Sequence, residues 1–159
     1  MKIKKLVVPM GVAAVAIGIA ASTVVPASAV DNIKPFGQQA RLNDWATGAP
    51  IIGFTVSDLT PSSDPVPHNG QLYEAPLTVD SMGGGAPPVM ATFNARAQSG
   101  ANYPALGSGG PGPMPPGGNW TGKLYFDVVG DQPNSVVYRD AVRDLIAWVP
   151  GPPLGGTNP

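Results

Sequence analysis

The stretch Asn119–Asn134, NWTGKLYFDVVGDQPN, alternates Leu124, Phe126 and Val128 with Lys123, Tyr125 and Asp127 before reaching Gly130, Asp131 and Pro133. Successive side chains of a strand point to opposite faces, so this pattern predicts a strand with one buried face. Leu124, Phe126 and Val128 pack a core, and Gly130 and Asp131 turn the chain. Lys123, Tyr125 and Asp127 stand on the other face and form the candidate interaction surface. An aromatic ring flanked by opposite charges suits protein recognition, where aromatic anchors are enriched.

The same period recurs outward from this strand. PIIGFTVSDL sets Ile52, Phe54 and Val56 on one face. QLYEAPLTVD sets Tyr73, Ala75, Leu77 and Val79 inward and Glu74, Thr78 and Asp80 outward. Pro76 has no amide donor, which predicts an edge strand or a bulge there. VMATFNARA places Val89, Ala91, Phe93 and Ala95 together. Gln38–Asn43, Ala101–Leu106, SVVYRD and DLIAWV complete the series, with a turn or a single helical turn over Asp140–Asp144. Phe54, Phe93 and Phe126 are expected in the core. The chain holds 21 Gly and 20 Pro, and punctuation of that density leaves short strands joined by turns. About eight short strands with polar turns between them predict an all-β sandwich or barrel.

The ends of the chain read differently. Lys2, Lys4 and Lys5 precede an apolar run, Leu6 to Val25, and then Pro26 and Ala27-Ser28-Ala29. That order predicts a secretory signal over residues 1–29, cut between Ala29 and Val30. The domain then spans 30–150, and the Pro/Gly-rich tail 151–159 is expected to be disordered. The segment Gly107–Gly118 has ten Gly or Pro among twelve residues and is expected to be a mobile loop.

Charge and composition exclude several functions. Three of the nine basic residues lie in the signal and all ten acidic residues lie outside it, which leaves six against ten, a net charge of −4. No basic cluster is present to release counterions from a phosphate backbone, so no nucleic-acid partner is expected. The acidic balance also argues against binding anionic lipid, so no membrane association is expected after signal removal. With no cysteine there is no thiolate nucleophile, redox pair or Cys-type zinc site.

Little remains to carry catalysis. His68 is the one histidine, and its neighbours Asn69-Gly70 signal a hairpin turn. No nucleophile motif accompanies it, and no second histidine could join it on a metal. No catalytic residue, cofactor or metal ligand is assigned. The acidic residues offer the one enzymatic alternative, a carboxylate-dependent hydrolase of cell-envelope carbohydrate. Glu74, Asp80 and Asp127 read first as solvated outer-face residues. Trp45, Trp120 and Trp148 each border a strand and read as core or core-edge residues rather than as a sugar platform. The sequon Asn119-Trp120-Thr121 is a short match and is read as chance.

Five segments in order, GFTVSDL (53–59), QLYEA (71–75), FNARAQSGANY (93–103), TGKLYFDVVG (121–130) and DLIAWVP (144–150), resemble the small secreted immunogenic and immunoprotective extracellular proteins of mycobacteria. The resemblance runs from about Gly37 to Pro150, and that family is a domain of unknown function. It implies an immunoglobulin-like antiparallel β-sandwich, secretion into the medium and antigenicity. It implies no enzyme activity. The functional expectation is a secreted, non-enzymatic module that binds an unknown protein of the host or the cell envelope.

Overall fold

The computed structural model describes residues 30, 32–83, 90–107 and 110–151. Residues 1–29, expected to be a signal, and residues 152–159 of the expected tail lie outside the described residues. The strands are β1 (Asn32–Pro35), β2 (Gln39–Asn43), β3 (Pro50–Val56), β4 (Thr60–Pro61), β5 (Gln71–Ser81), β6 (Phe93–Ala97), β7 (Asn102–Leu106), β8 (Asn119–Val128), β9 (Pro133–Arg139) and β10 (Asp144–Val149). A 3₁₀ turn, Met90–Thr92, precedes β6.

Hydrogen-bonded neighbours run β1-β10-β9-β6-β7-β8-β5-β3-β2, with β4 added beside β5. The order folds into a β-sandwich because β7 changes partner along its length. Its first residues, Asn102–Pro104, pair with β6, and Ala105 and Leu106 pair with β8. One layer therefore holds β1, β10, β9 and β6, and the other β8, β5, β3 and β2. Phe54 of β3 meets Phe93 of β6 edge-on, with ring centroids 5.7 Å apart, and Tyr138 of β9 at 5.0 Å. These rings bridge the two layers, and Phe54, Phe93 and Phe126 are all fully buried, as their periodicity predicts.

Burial follows the alternation closely in β8, where Leu124, Phe126 and Val128 lie inside. Trp120 has the same parity at the rim, and its ring fills the space over Gly122, where a Cβ would lie 2.2 Å from it. Trp148 is fully buried and donates from Nε1 to the Gln38 carbonyl (3.0 Å), which satisfies its one polar atom.

Several expectations need correction. Among the described residues the strands number ten, because Asn32–Pro35 and Thr60–Pro61 are too short to show a period. The ladders are not all antiparallel, since β1 runs parallel to β10. Pro76 marks neither an outer edge nor a bulge: β5 pairs with β8 continuously from Gln71 to Asp80. On its other flank β5 pairs with β3 as far as Val56–Leu77 and with β4 from Thr60–Glu74. The Pro76 carbonyl still accepts from Ser57 N (3.0 Å), and the missing donor falls where one partner strand gives way to the next.

The strand expected from Val89 begins only at Phe93, because Met90–Thr92 coils to bury Met90, and Ala91 is exposed. Val89 lies outside the described residues. The Gly/Pro segment is also better anchored than composition implies. Pro111 is buried and Met114 packs on the core. Ser81 N donates to the Gly118 carbonyl (2.8 Å), and Gly117 N donates back to the Ser81 carbonyl (2.6 Å).

Candidate functional site

On the outer face of β5 and β8, Glu74 faces Tyr125, Leu72 faces Asp127 and Pro76 faces Lys123. The loop 62–70 between β4 and β5 lies across this face. Its burial alternates: Ser62, Asp64 and Val66 are half-buried, whereas Ser63, Pro65, Pro67 and His68 are exposed.

The downward side chains end on the strand residues singled out by sequence. Ser62 Oγ donates to Glu74 Oε2 (2.5 Å). Lys123 Nζ donates to Asp64 Oδ2 (2.9 Å) and Glu74 Oε2 (3.0 Å), and the Tyr125 hydroxyl donates to Asp64 Oδ2 (2.6 Å). Asp127 takes the far end of the loop, accepting from Asn69 N (2.9 Å), Asn69 Nδ2 (3.1 Å) and Gly70 N (2.8 Å). Beneath them Leu72 is fully buried although it has outward parity, and Ser62 N donates to its carbonyl (2.8 Å).

Gly70 is required by this close approach. A Cβ there would lie 2.1 Å from the Val128 carbonyl oxygen, a backbone atom that cannot move aside. Asn69-Gly70 is therefore not the turn of a tight hairpin. It is the point where the loop docks on β8. His68 Nδ1 donates to the Val66 carbonyl (2.7 Å), which fixes its ring on the exposed side of the loop.

The electrostatics follow from these bonds. The Tyr125 hydroxyl and the Lys123 ammonium hold the Asp64 carboxyl below its usual range. The Gly70 and Asn69 amides do the same for Asp127. Asp64, followed by Glu74, raises the Lys123 ammonium, and Asp64 with burial raises the Tyr125 phenol. Asp44 and Asp140 are also lowered, chiefly by backbone amides of their own turns. A general acid needs its carboxyl raised, the opposite direction.

Sequence reasoning named Lys123, Tyr125 and Asp127 but missed Asp64, Ser62 and the Asn69-Gly70 amides as their partners. Glu74, read as solvated, is half-buried within the network. No local pattern could pair Asp64 with Tyr125. Two other expectations move as well. Trp45 is neither core nor core edge but 95% exposed, held out by a turn that Asp44 organises through bonds to Ala46 N and Thr47 N. On the opposite layer, Arg96 makes a bidentate pair with the buried Asp144 (Nη2–Oδ1 2.8 Å) and donates from Nε to Asn102 (3.1 Å). Among the described residues no group of three or more His, Asp or Glu converges as a metal site, and no helix is long and apolar enough to cross a membrane.

Residues 31–148 match the model of a domain of unknown function, DUF1942. The chain is 36% identical over 123 residues to immunogenic protein MPB63 of Mycobacterium bovis and to immunogenic protein MPT63 of Mycobacterium tuberculosis. Each alignment covers 72% of this chain and 77% of the relative. The 1.5 Å crystal structure of the secreted Mycobacterium tuberculosis protein MPT63 superposes with a TM-score of 0.67 at 32% identity, covering 77% of this chain and all of that one.

Proposed function

The chain belongs to the DUF1942 family of unknown function, and on that premise we propose that it is a secreted, non-enzymatic β-sandwich that presents the loop 62–70 to a protein of the host or the cell envelope. Lys123, Tyr125 and Asp127 act in this reading as the platform that holds the loop, and Ser63, Pro65, Pro67 and His68 are the displayed residues. The pinning network carries the proposal. A loop fixed in one shape loses less entropy on binding than a free one. Such a loop on a rigid scaffold is a common way to carry a recognition site. Export is supported by the signal features of residues 1–29 and by a relative described as secreted, and antigenicity by relatives described as immunogenic.

The test is a comparison of native protein with a Pro65→Ala/His68→Ala variant for any host or envelope protein that the native form retains. Weaker retention by a variant that keeps its fold supports the reading. Release of reducing ends from purified envelope polysaccharide, abolished by Glu74→Gln, would replace it with the hydrolase.

A further inference from the structure

The sheet order has two ends, β1 and β2, and among the described residues each of these strands pairs on one flank only. The chain passes from one to the other through a short bend, where Phe36 N donates to the Val149 carbonyl (2.9 Å) and Gly37 N to the Val56 carbonyl (2.8 Å). The bend sends β1 into one layer and β2 into the other. The two unpaired edges are left facing a cleft of about 470 Å³ lined by Asn32, Lys34, Gln39, Arg41, Asn43 and Pro50. Its size falls among ligand-holding clefts, roughly 300–1,000 Å³.

We propose that this notch accepts an extended acidic peptide as an added strand. Free edges offer backbone donors and acceptors to an incoming strand, and alternate side chains then set its specificity. Here those side chains are cationic. Lys34 and Arg41 make no ion pair among the described residues. Gln39 Oε1 accepts from Arg41 Nε (3.0 Å), and Gln39 Nε2 donates in turn to Asp80 Oδ2 (2.8 Å), so the guanidinium is aimed by a chain of bonds. Asp80 is shared between Gln39 and Asn119, and Asp44 is engaged in its own turn, so neither forms an ion pair with Lys34 or Arg41.

The same charges disfavour a second copy of this chain as the occupant, because edge-to-edge pairing would bring like cations together. The protein carries more acidic than basic residues outside its first 29 positions, so this cationic pair contrasts with the rest of the surface. Ile33, between Asn32 and Lys34 on β1, is 60% exposed. An added strand that alternates acidic and apolar residues matches the ammonium and guanidinium on one face and Ile33 on the other.

The probe is a short blocked peptide alternating Glu and Val, carrying a fluorophore and titrated against the protein by anisotropy. Its controls are the Lys/Val counterpart and a version N-methylated at alternate amides. The Glu/Val peptide is expected to bind, to weaken as salt rises, and to slow exchange of β1 and β2 edge amides. Lys34→Glu/Arg41→Glu should reduce its affinity by about tenfold or more and should gain binding of the Lys/Val peptide. That gain keeps the test decisive, since an unfolded variant would not show it. Tyr125→Phe should leave this binding unchanged, which separates the notch from the pinned loop. Equal binding of acidic and basic peptides, or full affinity of the N-methylated peptide, would overturn the proposal. Binding of a sulfated glycan without edge-amide protection would overturn it too.

Discussion

The Tyr125 hydroxyl donates a 2.6 Å hydrogen bond to Asp64 Oδ2 across 61 residues of sequence, joining the middle of β8 to the loop that crosses it. This bond, the Lys123 bridge and the Asp127 acceptor cluster hold the loop 62–70 at both ends of its course. The strand that decides the fold also fixes the surface proposed for recognition.

Tyr125→Phe removes the donor and keeps the ring. The expected result is a folded protein with an almost unchanged thermal midpoint and exchange of the 64–70 amides faster by about tenfold, because opening is local. Hydrogen exchange read residue by residue checks it. Exchange unchanged in the loop would show that the bond does not hold it.

The loop should loosen in acid and not near neutrality. Asp64 and Asp127 have folded values lowered from 3.8, so their stabilisation is complete above that value. It is lost as pH falls below 3.8 through the lowered folded values. Lys123 is raised from 10.5, so its contribution is complete below 10.5 and is lost only as pH rises beyond that. Protection of the Gly70 amide from solvent exchange should therefore persist at neutral pH and be lost only below about pH 4. Loss of that protection at neutral pH would contradict this assignment.

Gly70→Ala should destabilise by about 1–3 kcal/mol, because the new methyl meets the Val128 carbonyl and the loop must lift from β8. Gly112→Ala, where a Cβ meets nothing within 4 Å, is the matched control and should be near neutral. Chemical denaturation of both variants gives the difference.

Phe126→Ala should cost about 3–5 kcal/mol, since the ring is fully buried and its removal leaves a cavity beside Leu124 and Val128. The loss is a large share of the stability of a domain this size, about 5–15 kcal/mol. An unchanged denaturation midpoint would mean that β8 faces the other way.

What the sequence made legible was whatever a strand writes in its own alternation. Phe54, Phe93 and Phe126 were placed in the core, and β10 was located to the residue as DLIAWV. Lys123, Tyr125 and Asp127 were singled out because they form the polar half of one such pattern. Their partners were not legible: Asp64, Asn69 and Gly70 lie in a Pro-rich loop without a period, and their pairing depends on how β5 and β8 are brought side by side. Strand β1 was missed for a related reason. Four residues ending in proline carry no signal, and its partner Ile146–Val149 is more than a hundred residues away. Leu72 has the parity of an outer-face residue yet is fully buried, on the face that the loop crosses.

The most direct measurement of the recognition role is an amide-exchange footprint of the native protein, free and bound to the host or envelope protein it retains. Protection concentrated in residues 62–70 and the adjoining outer face of β5 and β8 is the expected result. Protection confined to other surfaces, or no protein retained by the native form, would contradict the account.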